Sequence, residues 1–246
     1  MLYGNESISH YSRANVAVWM VMAFQAGLIN IGGFLACHRF VSHVTGFSTH
    51  FGHEISKSKF APALGMLAVP LFFLLGAMTS GLLVDLRLKL HQKPRYYIAF
   101  GFIFALIALA FVGGTLGHFG PFGESLDRPR DFLLLAILCF ACGVQNGTIT
   151  SVSRSVVRTT HLTGITTDLG LGLIRFLYRR ELAGSSDEEA KANLMRIGII
   201  GFFGLGSVIG AFAFSRLGYG GFAIPLSSSG ALFGSMLYFQ LFKTAK

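Results

Sequence analysis

The sequence predicts an all-α integral membrane protein made of two related halves. Hydrophobic residues make up 52% of the 246 positions, and the mean hydropathy is +0.61. Only 13% of the residues are charged, whereas a soluble domain carries about 25%. The third observation is an internal repeat, because residues 39–52 and 157–170 resemble each other. Self-similarity of this kind indicates a fold built from repeated units.

The repeat is RFVSHVTGFSTHFG in the first half and VRTTHLTGITTDLG in the second, at an offset of 118 residues. Most other positions of the two segments are close substitutions. The identical pairs are His43/His161, Thr45/Thr163, Gly46/Gly164, Thr49/Thr167 and Gly52/Gly170.

A membrane-spanning helix needs about 20 mainly apolar residues. Six stretches meet this requirement, and the first lacks the small-residue cleavage site of a signal peptide. We therefore expect six transmembrane helices. They cover approximately residues 15–36, 61–85, 96–117, 131–152, 195–216 and 221–242.

The spans divide into two units, residues 1–120 with spans one to three and residues 121–246 with spans four to six. A unit of three spans must enter the membrane from the side opposite to its partner, so we predict an inverted-topology repeat with broken or re-entrant segments after helices 1 and 4. A second match, FFLLGAMTSG at 72–81 and FFGLGSVIGA at 202–211, supports the pairing of spans two and five. Each contains a small-xxx-small pair, which favours close helix packing.

Basic residues orient the chain, because short cytoplasmic loops are rich in Lys and Arg. With the N terminus inside, 14 of the 20 basic residues are cytoplasmic, mostly in segments 86–95 and 153–196. Both termini are then cytoplasmic. The net charge of +9 is explained by these loops, so we expect no nucleic-acid partner.

Polar residues recur at matching places in spans one and four. Gly27-x-x-Asn30 lies within span one, and Gly143-x-x-Asn146 with Gln145 lies within span four. A buried amide in a bilayer must find hydrogen-bond partners, because lipid offers none. These amides are candidates either for hydrogen bonding between helices or for contact with a substrate.

The duplicated motif itself predicts a second kind of contact. Thr45 and Thr163 are expected to cap short helices that run on from Gly46 and Gly164. The N terminus of a helix carries a partial positive charge and suits an anion or carboxylate. The alternative is that Thr-Gly only turns the chain at the membrane interface.

Ionisable residues close to the spans complete the predicted site, and Asp168 could pair with Arg154, Arg158 or a histidine. A histidine beside a carboxylate suits proton coupling. The candidate substrate-binding residues are Asn30, His43, Thr45, Gly46, Gln145, Asn146, Arg158, His161, Thr163, Gly164 and Asp168.

His50, His53 and Glu54 give an alternative, a metal site with contributions from His38 and His43. Their order, H-x-x-H-E, differs from the zinc-protease pattern H-E-x-x-H, and the second half has no equivalent. No nucleophile-base-acid, phosphate-loop or paired-carboxylate pattern stands out. We therefore expect neither an enzyme nor a cofactor.

Three short segments resemble one known family. SHVTG at 42–46, GVQNG at 143–147 and TTHLTG at 159–164 are similar to the YoaK-like bacterial membrane proteins (the DUF1275 domain), and the six-span layout also fits. The resemblance implies a bacterial inner-membrane protein and no particular substrate. Relatives often have Asn after the Thr-Gly, where this chain has Phe47 and Ile165.

Together these features predict a small secondary transporter or channel with a central site between the two repeats. The helix ends and basic residues favour a small anionic or carboxylate-bearing solute. The alternatives are a metal-handling membrane protein and a structural or interaction protein whose polar residues only join helices. The expected partners are the lipid bilayer and a small molecule or ion, and a homodimer remains open.

Overall fold

The computed structural model describes residues 13–124, 129–152, 162–178 and 186–243, and these residues are helical apart from short connections. Short helices follow the first long helix and precede the fifth predicted span. The helices are α1 (Arg13–Cys37), α2 (Val44–Ser56), α3 (Phe60–Met66), α4 (Ala68–Ser80), α5 (Leu86–Lys89), α6 (Tyr96–Thr115), α7 (Pro129–Val152), α8 (Leu162–Leu177), α9 (Ser186–Leu217) and α10 (Ala223–Leu237).

Five helical segments of the described chain are long and apolar enough to cross a membrane, which is consistent with a multi-pass membrane protein. The first four agree with the predicted spans. The fifth, Glu188–Leu241, contains 54 residues and covers both the fifth and the sixth predicted spans. A straight helix of that length would extend about 80 Å, far beyond a bilayer core of about 30 Å.

A turn separates α9 from α10 within this last segment. Residues Gly218–Phe222 form a 3₁₀ helix, and Gly218 has a φ of +52°, which a residue without a side chain adopts most readily. Helix α9 begins well before the fifth predicted span, which starts at about residue 195. It starts at Ser186, and Asn193 is buried against α8.

Two pairs of long helices run parallel. Along α1 and α9, Met20 lies beside Gly198, and Gly32 lies beside the ring of Phe214. Residue numbers therefore rise in the same direction along α1 and α9, so the two helices are parallel. The same holds for α4 and α7.

The contacts between α4 and α7 follow this parallel order. Gly65, in α3 just before α4, faces the ring of Phe132 near the start of α7, and Gly147 near the end of α7 faces Ser80 at the end of α4. The hydroxyl groups of Ser80 and Thr148 are 2.9 Å apart at the same end.

Two other pairs run antiparallel. In the first, the backbone N–H of Tyr97 at the start of α6 donates to Oε1 of Gln240 after α10. Gly114 at the end of α6 faces Tyr219, which precedes α10. The second pair is α1 and α7. Cys37 at the end of α1 lines the same small recess as Leu134, which lies near the start of α7.

Candidate functional site

The long helices cross at glycines that allow backbone contact. A side chain at Gly27 of α1 would collide with the carbonyl oxygen of Phe203 in α9, and its Cβ would lie 3.0 Å from the backbone nitrogen of Ser207. On the other side of the molecule, a side chain at Gly143 of α7 would collide with the carbonyl oxygen of Phe73 in α4. Gly143 and Gly27 are the glycines of the two Gly-x-x-Asn motifs.

The partner helices contribute glycines of their own. A side chain at Gly76 of α4 would collide with the carbonyl oxygen of Phe140, and one at Gly206 of α9 with that of Phe24. Gly76 and Gly206 begin the small-xxx-small pairs identified in the sequence, so their predicted packing role is confirmed. The four contacts form two equivalent pairs: Gly27–Phe203 corresponds to Gly143–Phe73, and Gly206–Phe24 corresponds to Gly76–Phe140. The offset is 116 residues between α1 and α7, and 130 residues between α4 and α9.

A hydrogen-bonded pair of amides joins α1 to α7. Nε2 of Gln25 donates to Oε1 of Gln145 at 3.1 Å, and Nε2 of Gln145 donates to the carbonyl oxygen of Met22 at 2.9 Å. The hydroxyl group of Ser228 in α10 donates to Oε1 of Gln25 at 2.9 Å. Both glutamines are only 1% exposed, so the pair lies within closely packed helices.

Sequence reasoning identified Gln145 in this group but missed Gln25 and Ser228. Gln25 could have been identified from the sequence, because its amide side chain lies in the middle of an apolar run. Ser228 stands in a run of three serines, and the sequence alone does not distinguish which of them faces α1. Asn146, next to Gln145, is also buried.

Asn30 fixes the segment that leads from α1 to α2. Its Oδ1 accepts hydrogen bonds from the hydroxyl group of Ser42 at 2.9 Å and from the backbone N–H of Ser42 at 3.4 Å. Val41 is fully buried against Gly33. Because Asn30 lies seven residues before the end of α1, the chain folds back by about 10 Å along that helix before α2 begins.

Helix α2 starts at this folded-back point. His43 occupies the N-cap position without a side-chain cap hydrogen bond, and the helix begins at Val44. The predicted cap by Thr45 is therefore wrong, because Thr45 already lies inside the first turn and is exposed. Burial lowers the pKa of His43 below its ordinary value.

The far end of α2 is held by Arg39. The guanidinium group of Arg39 lies 3.7 Å from the carboxylate of Glu54, donates to the carbonyl oxygen of His38 at 2.8 Å and approaches the sulfur of Met66 at 3.3 Å. Helix α2 therefore runs from the level of Asn30 back to the end of α1. None of its residues is fully buried, and Phe47 packs against the hydrophobic core from this helix.

In the second half, α8 starts at Leu162, so Thr163 also lies inside the first turn, and the predicted cap by Thr163 is wrong as well. Thr163 and Asp168 are exposed, and Gly164 is partly buried. Arg158 and His161 lie outside the described residues, as does Arg154, the other arginine proposed for Asp168.

Both short helices expose the same small polar face. In α2 it consists of Thr45, Ser48, Thr49 and Gly52, and in α8 of Thr163, Thr166, Thr167 and Gly170. These positions are related by the offset of 118 residues. No heavy atom lies within 4 Å of the place where a side chain would start at Gly52 or Gly170, so this face is open in both halves.

The geometry offers little to a metal ion. His50, His53 and Glu54 share one side of α2, as their spacing predicted, but Glu54 faces Arg39 and Nε2 of His38 is 2.9 Å from the carbonyl oxygen of Gly123. Among residues 13–124, 129–152, 162–178 and 186–243, no three His, Cys, Asp or Glu side chains are grouped closely enough to hold a metal ion.

Comparison with known proteins gives one match. The model of a family described as "Protein of unknown function (DUF1275)" matches residues 18–236, which is nearly the whole chain. No curated protein and no solved structure matches.

Proposed function

The chain belongs to the DUF1275 family, and we propose that it is a small secondary transporter or channel with a solute pathway between two inverted three-helix halves. The observation that carries the proposal is the reciprocal packing of the long helices. Helix α1 of the first half packs on α9 of the second, and α4 of the first packs on α7 of the second, through equivalent glycine–carbonyl contacts.

The directions of the helices support the inverted arrangement. Helices α1 and α7 correspond to each other in the repeat, and they run antiparallel. Corresponding helices in opposite directions are what an inverted-topology repeat requires. Six spans, with α9 and α10 as the fifth and sixth, are compatible with all the parallel and antiparallel pairs described above.

The fold-back after α1 supports a re-entrant segment in the first half. The N terminus of α2 lies about 10 Å inside the end of α1, next to the Asn30–Ser42 hydrogen bond. Transporters with inverted repeats use such half-helix N termini to hold anionic groups of a substrate. We extend this arrangement to α8, whose sequence and exposed face repeat those of α2.

The open faces of α2 and α8 supply the remaining support. A re-entrant helix cannot present hydroxyl groups to hydrocarbon without cost, so Thr45, Ser48 and Thr49 should face water. The same argument applies to Thr163 and Thr166, whereas the hydroxyl group of Thr167 donates to the carbonyl oxygen of Thr163 at 3.0 Å. We propose that these faces line vestibules on opposite sides of the membrane, with the Gln25–Gln145 pair closing the path between them.

The proposed solute is a small anion or carboxylate. The support is the partial positive charge at the N termini of the two half helices, which His43 and His161 directly precede in the sequence. We further propose a location in the bacterial inner membrane with both termini in the cytoplasm, as the basic loops indicate.

The test is flux through the purified protein in proteoliposomes. A panel of small inorganic anions and short carboxylates is screened by solid-supported-membrane recording and, for electroneutral transport, by uptake of labelled solute. We expect His43→Ala and His161→Ala to abolish flux in folded protein. His91→Ala, in the exposed connection between α5 and α6, is the matched control. Flux equal to that of the wild-type protein in both folded variants would show that the two histidines are not part of the site.

A structural or interaction protein is the second candidate, and the Gln25–Gln145 pair favours it. All the polar atoms of this pair named above are partnered within the protein, which is how helix-joining amides are arranged in membranes. On this alternative, Asn30→Ala and Asn146→Ala would lower thermal stability, and no solute of the panel would be transported by the wild-type protein.

A further inference from the structure

The second half carries a lipid-facing surface that none of the predicted spans includes. Helix α8 turns Ile165, Leu169, Gly172 and Phe176 toward the protein, at intervals of three and four residues. The opposite side of α8 carries the open polar face of Thr163, Thr166, Thr167 and Gly170 in its N-terminal half and becomes apolar in its C-terminal half. Leu171, Ile174 and Leu177 are 53%, 56% and 71% exposed, and Tyr178 beyond them is 54% exposed.

The contact between α8 and α9 fixes the depth of this flank. Gly172 crosses α9 at Glu189, Asn193 and Arg196, which fill the space that a side chain at Gly172 would need. The apolar segment that includes α9 begins at Glu188. The crossing therefore lies within the first three turns of this segment, where charged residues precede the apolar run and where the boundary between headgroups and acyl chains is expected.

The charged groups at this crossing agree with that depth. Nη1 of Arg196 donates to Oε1 of Glu189 at 2.9 Å and to Oδ1 of Asn193 at 2.6 Å, and Arg175 of α8 approaches Glu189 at 3.9 Å. The side chain of Arg175 remains 56% exposed and can extend to lipid phosphates. A tyrosine such as Tyr178 is typical of the same level of a membrane.

We infer that the C-terminal half of α8 is an interfacial anchor, whose Leu171–Ile174–Leu177 flank is covered by the acyl chains of membrane phospholipids. The exposed residues of the neighbouring helix α9 indicate that lipid covers this flank. At the same level, Leu194 and Ile197 of α9 are 66% and 51% exposed, so the apolar flank of α8 continues a surface that a membrane-spanning helix already presents to lipid. An amphipathic helix at an interface buries its apolar side about 5–10 Å below the headgroups.

Spin labels on the full-length protein in phospholipid vesicles test the inference. Single cysteines replace Ile174 and Leu177, and the native Cys37, Cys139 and Cys142 are buried and give a low background. Power saturation with oxygen and a water-soluble nickel complex reports the depth. Gln92→Cys, in an exposed connection, is the aqueous control, and Phe102→Cys, on the exposed side of α6, is the lipid control.

We expect both α8 labels to be accessible to oxygen and shielded from nickel, at a depth of about 5–10 Å. Nickel access equal to that at Gln92 would overturn the inference. Dipolar broadening that disappears when labelled protein is diluted with unlabelled protein would identify a second copy as the cover, and would overturn it equally. Where labelling perturbs the fold, quenching of Leu177→Trp by brominated lipids replaces it, and absence of quenching would overturn it. None of these outcomes depends on transport.

Discussion

Nε2 of Gln25 lies 3.1 Å from Oε1 of Gln145, where α1 and α7 cross in opposite directions. The two residues are not equivalent in the repeat, since the offset of 116 residues relates Gln25 to Ala141. The amide pair is thus an asymmetric element, in contrast to the glycine–carbonyl contacts that are equivalent in the two halves.

Replacing Gln25 should therefore leave its partner unsatisfied. We expect Gln25→Ala to lower the free energy of unfolding by about 1–3 kcal/mol, because Oε1 of Gln145 stays buried without its donor, while Nε2 keeps its hydrogen bond to Met22. The double variant Gln25→Leu/Gln145→Leu should recover part of this loss, since it removes both polar groups. Thermal unfolding in detergent measures both. Gln92→Ala, at an exposed position, is the control, and an unchanged melting temperature in Gln25→Ala would contradict the structural account.

The glycine crossings make a prediction that compares the two halves. Gly27→Ala and Gly143→Ala should each destabilise the protein by about 1–3 kcal/mol, because each new methyl group meets a backbone carbonyl that cannot move aside easily. Gly204→Ala in α9 should change little, since no heavy atom lies within 4 Å of its Cβ position. Denaturation in mild detergent provides the measurement. A cost in only one half would speak against equivalent crossings.

The hydrogen bond from Ser42 to Asn30 predicts local loosening. We expect Ser42→Ala to increase hydrogen exchange at the start of α2, because the fold-back loses the shorter of its two hydrogen bonds to Asn30. The repeat relates Ser42 to Thr160, which lies outside the described residues, and Asn30 to Asn146. Thr160→Val should accordingly increase exchange at the start of α8. Hydrogen–deuterium exchange by mass spectrometry reads both helices, with the peptide from α6 as an internal reference.

Gly172 offers a test of how α8 attaches. A methyl group there would push aside the side-chain ends of Glu189, Asn193 and Arg196 and disturb their hydrogen bonds, so Gly172→Ala should loosen the attachment of α8 to α9 and leave the long helices intact. Gly170→Ala is a matched control on the open face of the same helix. Limited proteolysis near residues 162–178 should accelerate for Gly172→Ala alone. Equal rates for the two variants would contradict the crossing.

Several parts of this structure could be predicted from the sequence for clear reasons. Apolar runs near 20 residues gave the first four spans, and the Gly-x-x-x-small pairs at Gly76 and Gly206 gave the crossings, because close backbone approach requires small residues. The family resemblance was also confirmed. The start of α9 was missed because SDEEAKAN is polar, and its helix is stabilised by contact with α8 rather than by its own pattern.

The candidate site was less accessible to such reasoning. The Thr-Gly motif correctly marked the beginning of two short helices, but a threonine favours several positions in a first turn, and the structure puts His43 at the N-cap. The partner of Gln145 depended on the antiparallel direction of α1 and α7, which the sequence does not state. Whether the open hydroxyl faces meet water stays a prediction.

The central claim is that the duplicated motif opens to opposite sides of the membrane. Single variants Thr45→Cys and Thr163→Cys, in a chain whose native cysteines are buried, are exposed to a membrane-impermeant maleimide in right-side-out and inside-out vesicles. The account predicts that Thr45→Cys reacts only from the side opposite the termini and Thr163→Cys only from the side of the termini. Reaction of both from the same side, or of neither, would contradict it.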